Sequence, residues 1–142
     1  MRIVPGCVRS WAALVQESDQ QSRLGADRWI RRNSGVLRAI DRASDTMQLV
    51  VQPSGQPVVI IRMKPATRQL SVMRAIEQMV PPGTAKPQEL AGWYRWVLPT
   101  VSINDTIDLQ PTVDVGTVAE AVVIVLSPSS TDSDAIKQQL GR

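Results

Sequence analysis

The sequence contains no histidine and no phenylalanine, and it has one cysteine, Cys7, in 142 residues. Without histidine the chain lacks the commonest general base and the commonest metal ligand. A Ser-His-Asp or Cys-His catalytic arrangement is excluded within one chain. One cysteine also excludes an intrachain disulfide and a structural zinc site. These absences predict a protein that is not an enzyme and that holds no metal and no cofactor, and they leave a site for a hard cation built from carboxylates alone as the open alternative.

Long apolar runs are also absent, since no segment approaches the roughly 20 apolar residues that span a bilayer. The first seven residues include Arg2 but no continuous apolar segment, which predicts no secretory signal. We therefore expect synthesis in the cytoplasm and no membrane partner.

With 43% hydrophobic and 20% charged residues, the composition is typical of a folded chain, and the length corresponds to one domain.

Two segments resemble ligand-binding loops but lack the residues that the ligands require. Segment 81–86 resembles part of a phosphate-binding Walker loop, but Val80, Ala85 and Pro87 replace its two glycines and its Ser/Thr. The aspartates of segment 105–114 are too loosely spaced for an EF-hand, whose glycine and terminal glutamate are missing. The sequence therefore predicts neither a nucleotide site nor a calcium site.

A β-hairpin is predicted near the middle of the chain. Segments 47–52 and 57–63 are rich in residues that favour strands, and Pro53, Ser54 and Gly55 between them are typical of a turn. Residues 58–61 are apolar without interruption, which predicts that the second strand is buried on both faces.

A helix from Arg68 to Val80 is predicted after the hairpin, with Thr67 as its N-cap. Its apolar positions recur at helical spacing, so it presents a broad apolar face that can cover the hairpin. The Pro/Gly segment 81–83 ends this helix, because proline cannot continue it.

Two amphipathic helices are predicted before the hairpin, one around residues 8–15 and one from about residue 23 to 44. Arginines lie largely off the apolar stripe of the second helix. The candidate positions for an anion or a partner are Arg28, Arg31, Arg32, Arg38 and Arg42. Such a row is either a solvated helix face or a face that binds phosphate or carboxylate groups.

The consecutive residues Trp93, Tyr94, Arg95 and Trp96 form the aromatic centre of the chain. Trp, Tyr and Arg are enriched among the energetically dominant residues of protein interfaces. Aromatic side chains also stack on bases and sugars. We interpret the cluster as core or as protein interface and take all four as candidate interface residues. Stacking on a ligand is the alternative.

The last third of the chain is predicted to form strands. The most apolar segment, 118–126, is predicted to be a central strand after a turn at Gly116 and Thr117.

The expected fold class is α+β, with N-terminal helices and one central helix packed on a small, mainly antiparallel sheet built from two hairpins. The expected domain organisation is a single domain over 1–126, with a helical part at 1–45, a β-hairpin/helix/β part at 46–126, and a flexible C-terminal tail at 127–142.

The charges are distributed unevenly along the chain. Residues 1–100 contain 14 Lys/Arg and seven Asp/Glu, a net charge of +7, whereas residues 101–142 contain two and six, a net charge of −4. These basic and acidic surfaces are either solvated or pair between neighbouring subunits.

Since the sequence carries no catalytic motif, we expect a structural subunit of a multi-subunit protein assembly. Its most concrete form is a small virion protein of a tailed bacteriophage, from the neck (head–tail connector), tail or baseplate. Such a subunit binds copies of itself or other assembly proteins and takes no small-molecule substrate. The alternative is a nucleic-acid-binding module that uses the Arg-rich helix 23–44.

Overall fold

A computed structural model of the protein describes residues 2–3, 44–51, 57–103 and 107–140. The strands are β1 (Arg2–Ile3), β2 (Ser44–Val51), β3 (Pro57–Met63), β4 (Gln88–Leu90), β5 (Trp93–Val97), β6 (Val101–Ile103), β7 (Ile107–Leu109), β8 (Thr112–Val118) and β9 (Ala121–Ser127). The helices are α1 (Gln69–Met79) and α2 (Ser130–Leu140). Seven strands form one antiparallel sheet in the order β1-β2-β3-β9-β8-β5-β4, and β6 and β7 pair separately.

The predicted fold class is wrong, because the described residues are mostly sheet and the sheet is large. Strands β4 and β5 extend it beyond the two predicted hairpins, and α2 adds a helix on the face opposite α1. The three-residue β4 is too short to show strand alternation in the sequence. The predicted N-terminal helices lie outside the described residues. No helix in the described part of the chain is long and apolar enough to cross a membrane.

The predicted central hairpin is confirmed by the pairing of β2 with β3, in which Met47 is opposite Ile61 and Val50 is opposite Val58. Its turn lies outside the described residues. Strand β3 is an inner strand, between β2 and β9, and its uninterrupted apolar run is buried on both faces, as predicted. Val59 and Ile61 lie in the core beneath α1, and Val58 and Ile60 lie in the core beneath α2. Strand β9 is likewise an inner strand, which confirms the prediction of a central strand there.

Helix α1 packs on one face of the sheet, here called the α1 face. Val72 and Ile76 of α1 are buried against alternate residues of four strands. The sheet residues of this core are Val59, Ile61, Met63, Trp96, Val113, Val115, Val122, Ile124 and Leu126. Alternation of side chains along each strand places this set on a single face.

Helix α2 covers the opposite face, here called the α2 face. Ile136 of α2 is buried against the sheet, and Leu140 packs beside it. The sheet residues of this second core are Val50, Val58, Ile60, Val123 and Val125. In the part of the chain that the structure describes, the sheet therefore lies between two helices, which makes three layers.

The predicted central helix is confirmed within one residue at each end, but its predicted cap is wrong. Arg68, not Thr67, occupies the N-cap position with extended backbone angles, and its side chain makes no capping hydrogen bond. At the other end, the Val80 N–H donates to the Ile76 carbonyl, and Pro81 follows.

The turn between β8 and β9 lies at Ala119 and Glu120, three residues beyond the predicted one. Both residues have positive φ, at 49° and 67°, as a two-residue hairpin turn of type I′ requires. Gly116, which suggested a turn in the sequence, lies inside β8 opposite Val123.

The segment predicted as a flexible tail contains α2, which is packed on β8 and β9. Ser129 is the N-cap of this helix, because its Oγ accepts a hydrogen bond from the Asp132 N–H at 3.2 Å. The Asp132 carboxylate accepts a hydrogen bond from the same Oγ at 2.9 Å. Residues 130–140 are therefore part of the folded domain, since Ser133 and Ile136 are buried.

Candidate functional site

A polar cluster on the α2 face centres on Asp114 of β8, whose side chain is 0% exposed. Arg95 lies opposite it on the neighbouring strand β5. The Arg95 guanidinium donates from Nε to Oδ1 of Asp114 at 3.0 Å and from Nη2 to Oδ2 at 2.8 Å. This two-point contact is the strongest geometry of an Arg–carboxylate pair, and it compensates the otherwise costly burial of a charge.

Helix α2 completes this Asp114 cluster. Ser133 Oγ donates to Asp114 Oδ2 at 2.6 Å, and Lys137 Nζ lies 2.9 Å from the same oxygen. Asp134 is 54% exposed at the rim, where it accepts a hydrogen bond from Arg95 Nη2 at 2.6 Å and lies 3.5 Å from Lys137 Nζ. The two acidic and two basic groups therefore neutralise one another within a single subunit.

The charge states of the cluster follow from these contacts. Burial opposes ionisation of Asp114, but hydrogen bonds from Arg95, Ser133 and Lys137 outweigh it, so the pKa of Asp114 lies below its ordinary value. Hydrogen bonding to Asp114 is the main cause that raises the pKa of Arg95, against the opposing effect of burial. Both groups are charged at neutral pH, and the cluster is a fixed ion-pair network that joins α2 to the sheet.

The indole of Trp93 lies between the sheet and α2 beside this cluster. A Cβ placed on Gly116 would come within 2.6 Å of the Trp93 ring, so the ring rests directly on the glycine backbone. Lys137 Nζ lies 5.3 Å from the ring centroid, within cation–π range. Because both neighbours lie against the ring, the stacking of a base or sugar on Trp93 is not favoured.

A groove of about 360 Å³ opens between the β4–β5 hairpin and α2. Its lining residues are Leu90, Ala91, Trp93, Asp134, Lys137 and Gln138. We call it the Leu90 groove, because Leu90 is 69% exposed at its edge, compared with 59% for Leu70 and 37% for Val97. The hairpin that carries Leu90 is braced by a hydrogen bond from the Gly92 N–H to the Glu89 carboxylate at 3.1 Å.

Alternation along β5 divides the four aromatic-segment residues between the two faces of the sheet. Trp96 is 1% exposed in the α1-face core, and its Nε1 has no hydrogen-bond partner among the described residues. Tyr94 packs against the same core. Trp93 and Arg95 lie on the α2 face with Asp114. These four residues therefore do not form one surface, and Trp96 is not available to a partner in the folded subunit.

The other predicted site residues were Arg28, Arg31, Arg32, Arg38 and Arg42, which lie outside the described residues. Sequence reasoning missed Asp114, Lys137 and Leu90. In the sequence, Asp114 is a single carboxylate between two valines of a strand. This pattern predicts a buried charge that requires a basic partner. Which cation supplies that partner depends on strand order, and no spacing in the sequence reveals it.

No group of three or more metal-ligating side chains occurs in the described part of the chain. No known protein-family model matches the chain, and no curated protein is similar to it in sequence. The case for function therefore rests on the surface of this molecule alone.

Proposed function

We propose that the protein is a structural subunit of a multi-subunit protein assembly and binds copies of itself or other assembly proteins. Its concrete form in this proposal is a small virion protein of a tailed bacteriophage, from the neck, tail or baseplate.

The observation that carries the assembly proposal is the Leu90 groove. An exposed leucine beside a half-buried tryptophan is an apolar site of the kind that protein partners cover. The charges next to it are paired within the subunit, so the site presents little net charge. A surface of this kind favours a protein partner over the phosphate backbone of a nucleic acid, whose binding depends on unpaired basic groups.

The test is the solution mass of the purified chain by light scattering, at low and at moderate salt and over a range of protein concentrations. We expect oligomers of defined size, and a phage neck or tail component predicts rings in negative-stain electron micrographs. Dissociation with rising salt would indicate that the basic and acidic surfaces pair, whereas persistence would indicate apolar contacts. A monomer under every condition would contradict self-assembly.

A further inference from the structure

Helix α2 is attached to the sheet by few apolar side chains. Of its 11 residues, Ser133 and Ile136 are buried, and only the second of these is apolar. Leu140 packs beside Ile136 and is half-buried. Helix α1, by comparison, buries both Val72 and Ile76 in its core. Apolar burial therefore anchors α2 less firmly than α1.

A single buried carboxylate, that of Asp114, receives polar contacts from both sides of the junction between α2 and the sheet. From α2, Ser133 donates a hydrogen bond to it and Lys137 pairs with it. From β5, Arg95 contacts the same carboxylate, whereas β9, on the other side of β8, contains no charged residue. Asp134 of α2 lies at the rim of this cluster. The attachment of α2 therefore depends on the negative charge of Asp114.

The core beneath α1 does not depend on α2, because it is built from α1 and from strands of the sheet. Only residues 128 and 129 connect β9 to α2. An isolated helix of 11 residues is not stable in water. When α2 leaves the sheet it therefore also unwinds, and the two changes are one event.

We propose that α2 is a latch, a helix that opens from the sheet as one unit while the sheet and α1 stay folded, and that Asp114 holds this latch closed. Local opening of this kind occurs in folded domains where few apolar contacts are buried. Opening uncovers the ring of Trp93, against which Lys137 lies in the closed state. It also separates Ile136 from the sheet residues of its core. The inference is independent of the proposed assembly function.

Native-state hydrogen exchange of the full-length chain tests the latch, because it measures the free energy of opening at each backbone amide. After correction for intrinsic rates, we expect the amides of α2 to exchange as one group, at least about tenfold faster than those of β3 and β9. Their exchange should also depend less on added urea, since opening exposes less surface than unfolding does. Equal protection in α2 and in the strands would overturn the latch. An α2 without any protection would overturn it too, because such a helix is not closed.

Ile76→Val distinguishes local opening from unfolding of the whole domain. The substitution removes one methyl group from the core beneath α1 and should lower the protection of β3 and β9 about fivefold. The protection of α2 should not change, because that core is intact in both the closed and the open state. An equal fall in α2 would mean that α2 opens only when the whole domain unfolds, and the latch would be wrong.

Asp114→Asn tests which contact holds the latch. It should lower the protection of α2 about 100-fold, because the closed state loses its central charge and the open state does not. Asp134→Asn is the matched control, since it removes a half-exposed carboxylate of the same cluster, and its effect should stay below about fivefold. If Asp114→Asn leaves the protection of α2 unaffected, or if both variants lower it equally, Asp114 does not hold the latch.

The wild-type chain provides an independent test of Asp114 by pH. The contacts of Asp114 place its pKa below the ordinary value, so the latch is closed at neutral pH and weakens as the pH falls below about 4. The protection of α2 should fall over this range, and it should fall much less in Asp114→Asn. An equal pH dependence in both chains would overturn the role of Asp114.

Discussion

Gly116 has no side chain, and this allows the Trp93 ring to pack directly on the backbone of β8 on the α2 face. Glycine in a strand interior ordinarily weakens the strand, because it contributes no packing. Here the indole of Trp93 on the neighbouring strand covers the glycine, and Lys137 lies against the ring. The aromatic ring therefore supplies the contact that the glycine lacks.

Gly116→Ala is expected to lower the free energy of unfolding by about 1–3 kcal/mol, the usual cost of forcing extra volume into a packed site. The added Cβ would meet the Trp93 ring at 2.6 Å, so the ring must move. Urea denaturation measures the change. In a Trp93→Leu background the same substitution should cost much less, and an equal cost in both backgrounds would contradict the packing explanation.

At the scale of elements, two tight hairpin turns have backbone angles that most of their residues do not favour. Ala119 and Glu120 connect β8 to β9, and Ala91 and Gly92 connect β4 to β5. All four residues have positive φ, although only one is glycine. Left-handed backbone costs an ordinary L-residue roughly 1–2 kcal/mol, so the flanking strand pairing determines these turns against local preference.

Glu120→Gly is expected to raise the free energy of unfolding by about 0.5–1 kcal/mol. Glycine relieves the strain of φ 67°, and this gain exceeds its entropic cost in the unfolded chain. Thermal and urea unfolding measure the effect. Glu120→Ala serves as the control, since it removes the same exposed side chain but keeps the Cβ. A gain as large for alanine as for glycine would show that the carboxylate, not the backbone, is the cause.

At the scale of the whole molecule, Asp114 joins elements that are distant in sequence. Arg95 of β5 and Ser133 and Lys137 of α2 all contact its carboxylate. Removing the charge leaves two largely buried cations, Arg95 and Lys137, with only the half-exposed carboxylate of Asp134 as ionic partner, which is strongly destabilising. Asp114→Asn should therefore lower the free energy of unfolding by about 3 kcal/mol at neutral pH.

Acid should remove the contribution of Asp114 selectively. Because its folded pKa lies below the unfolded value of about 3.9, the contribution is complete well above pH 4 and is lost as the pH falls further. The difference between wild type and Asp114→Asn in urea unfolding should be constant from about pH 6 to 7 and narrow below about pH 4. Asp134→Asn, at the exposed rim, should cost less than about 1 kcal/mol. A difference independent of pH would contradict this assignment.

The parts of the fold that sequence reasoning predicted correctly are those in which local pattern and burial agree. The β2–β3 hairpin, the limits of α1 and the central position of β9 each follow from periodicity within a few residues. The predictions failed where a tertiary contact overrides a local signal. Gly116 suggested a turn but is held in a strand beneath Trp93, while Ala119 and Glu120 form the turn that their own preferences oppose.

The candidate site depends still more on tertiary structure. Composition alone excluded histidine chemistry, a zinc site and an intrachain disulfide, and the spacing of apolar residues located β3, α1 and β9. Strand order brings Arg95 to Asp114, and the packing of α2 on the sheet brings Lys137 to the same carboxylate, although the three residues lie on elements far apart in the chain. Strand alternation likewise divides Trp93 from Trp96, because adjacent side chains in a strand point to opposite faces. Local pattern thus locates the elements with a strong apolar period, and the long-range pairing of strands and packing of helices determine which side chains meet.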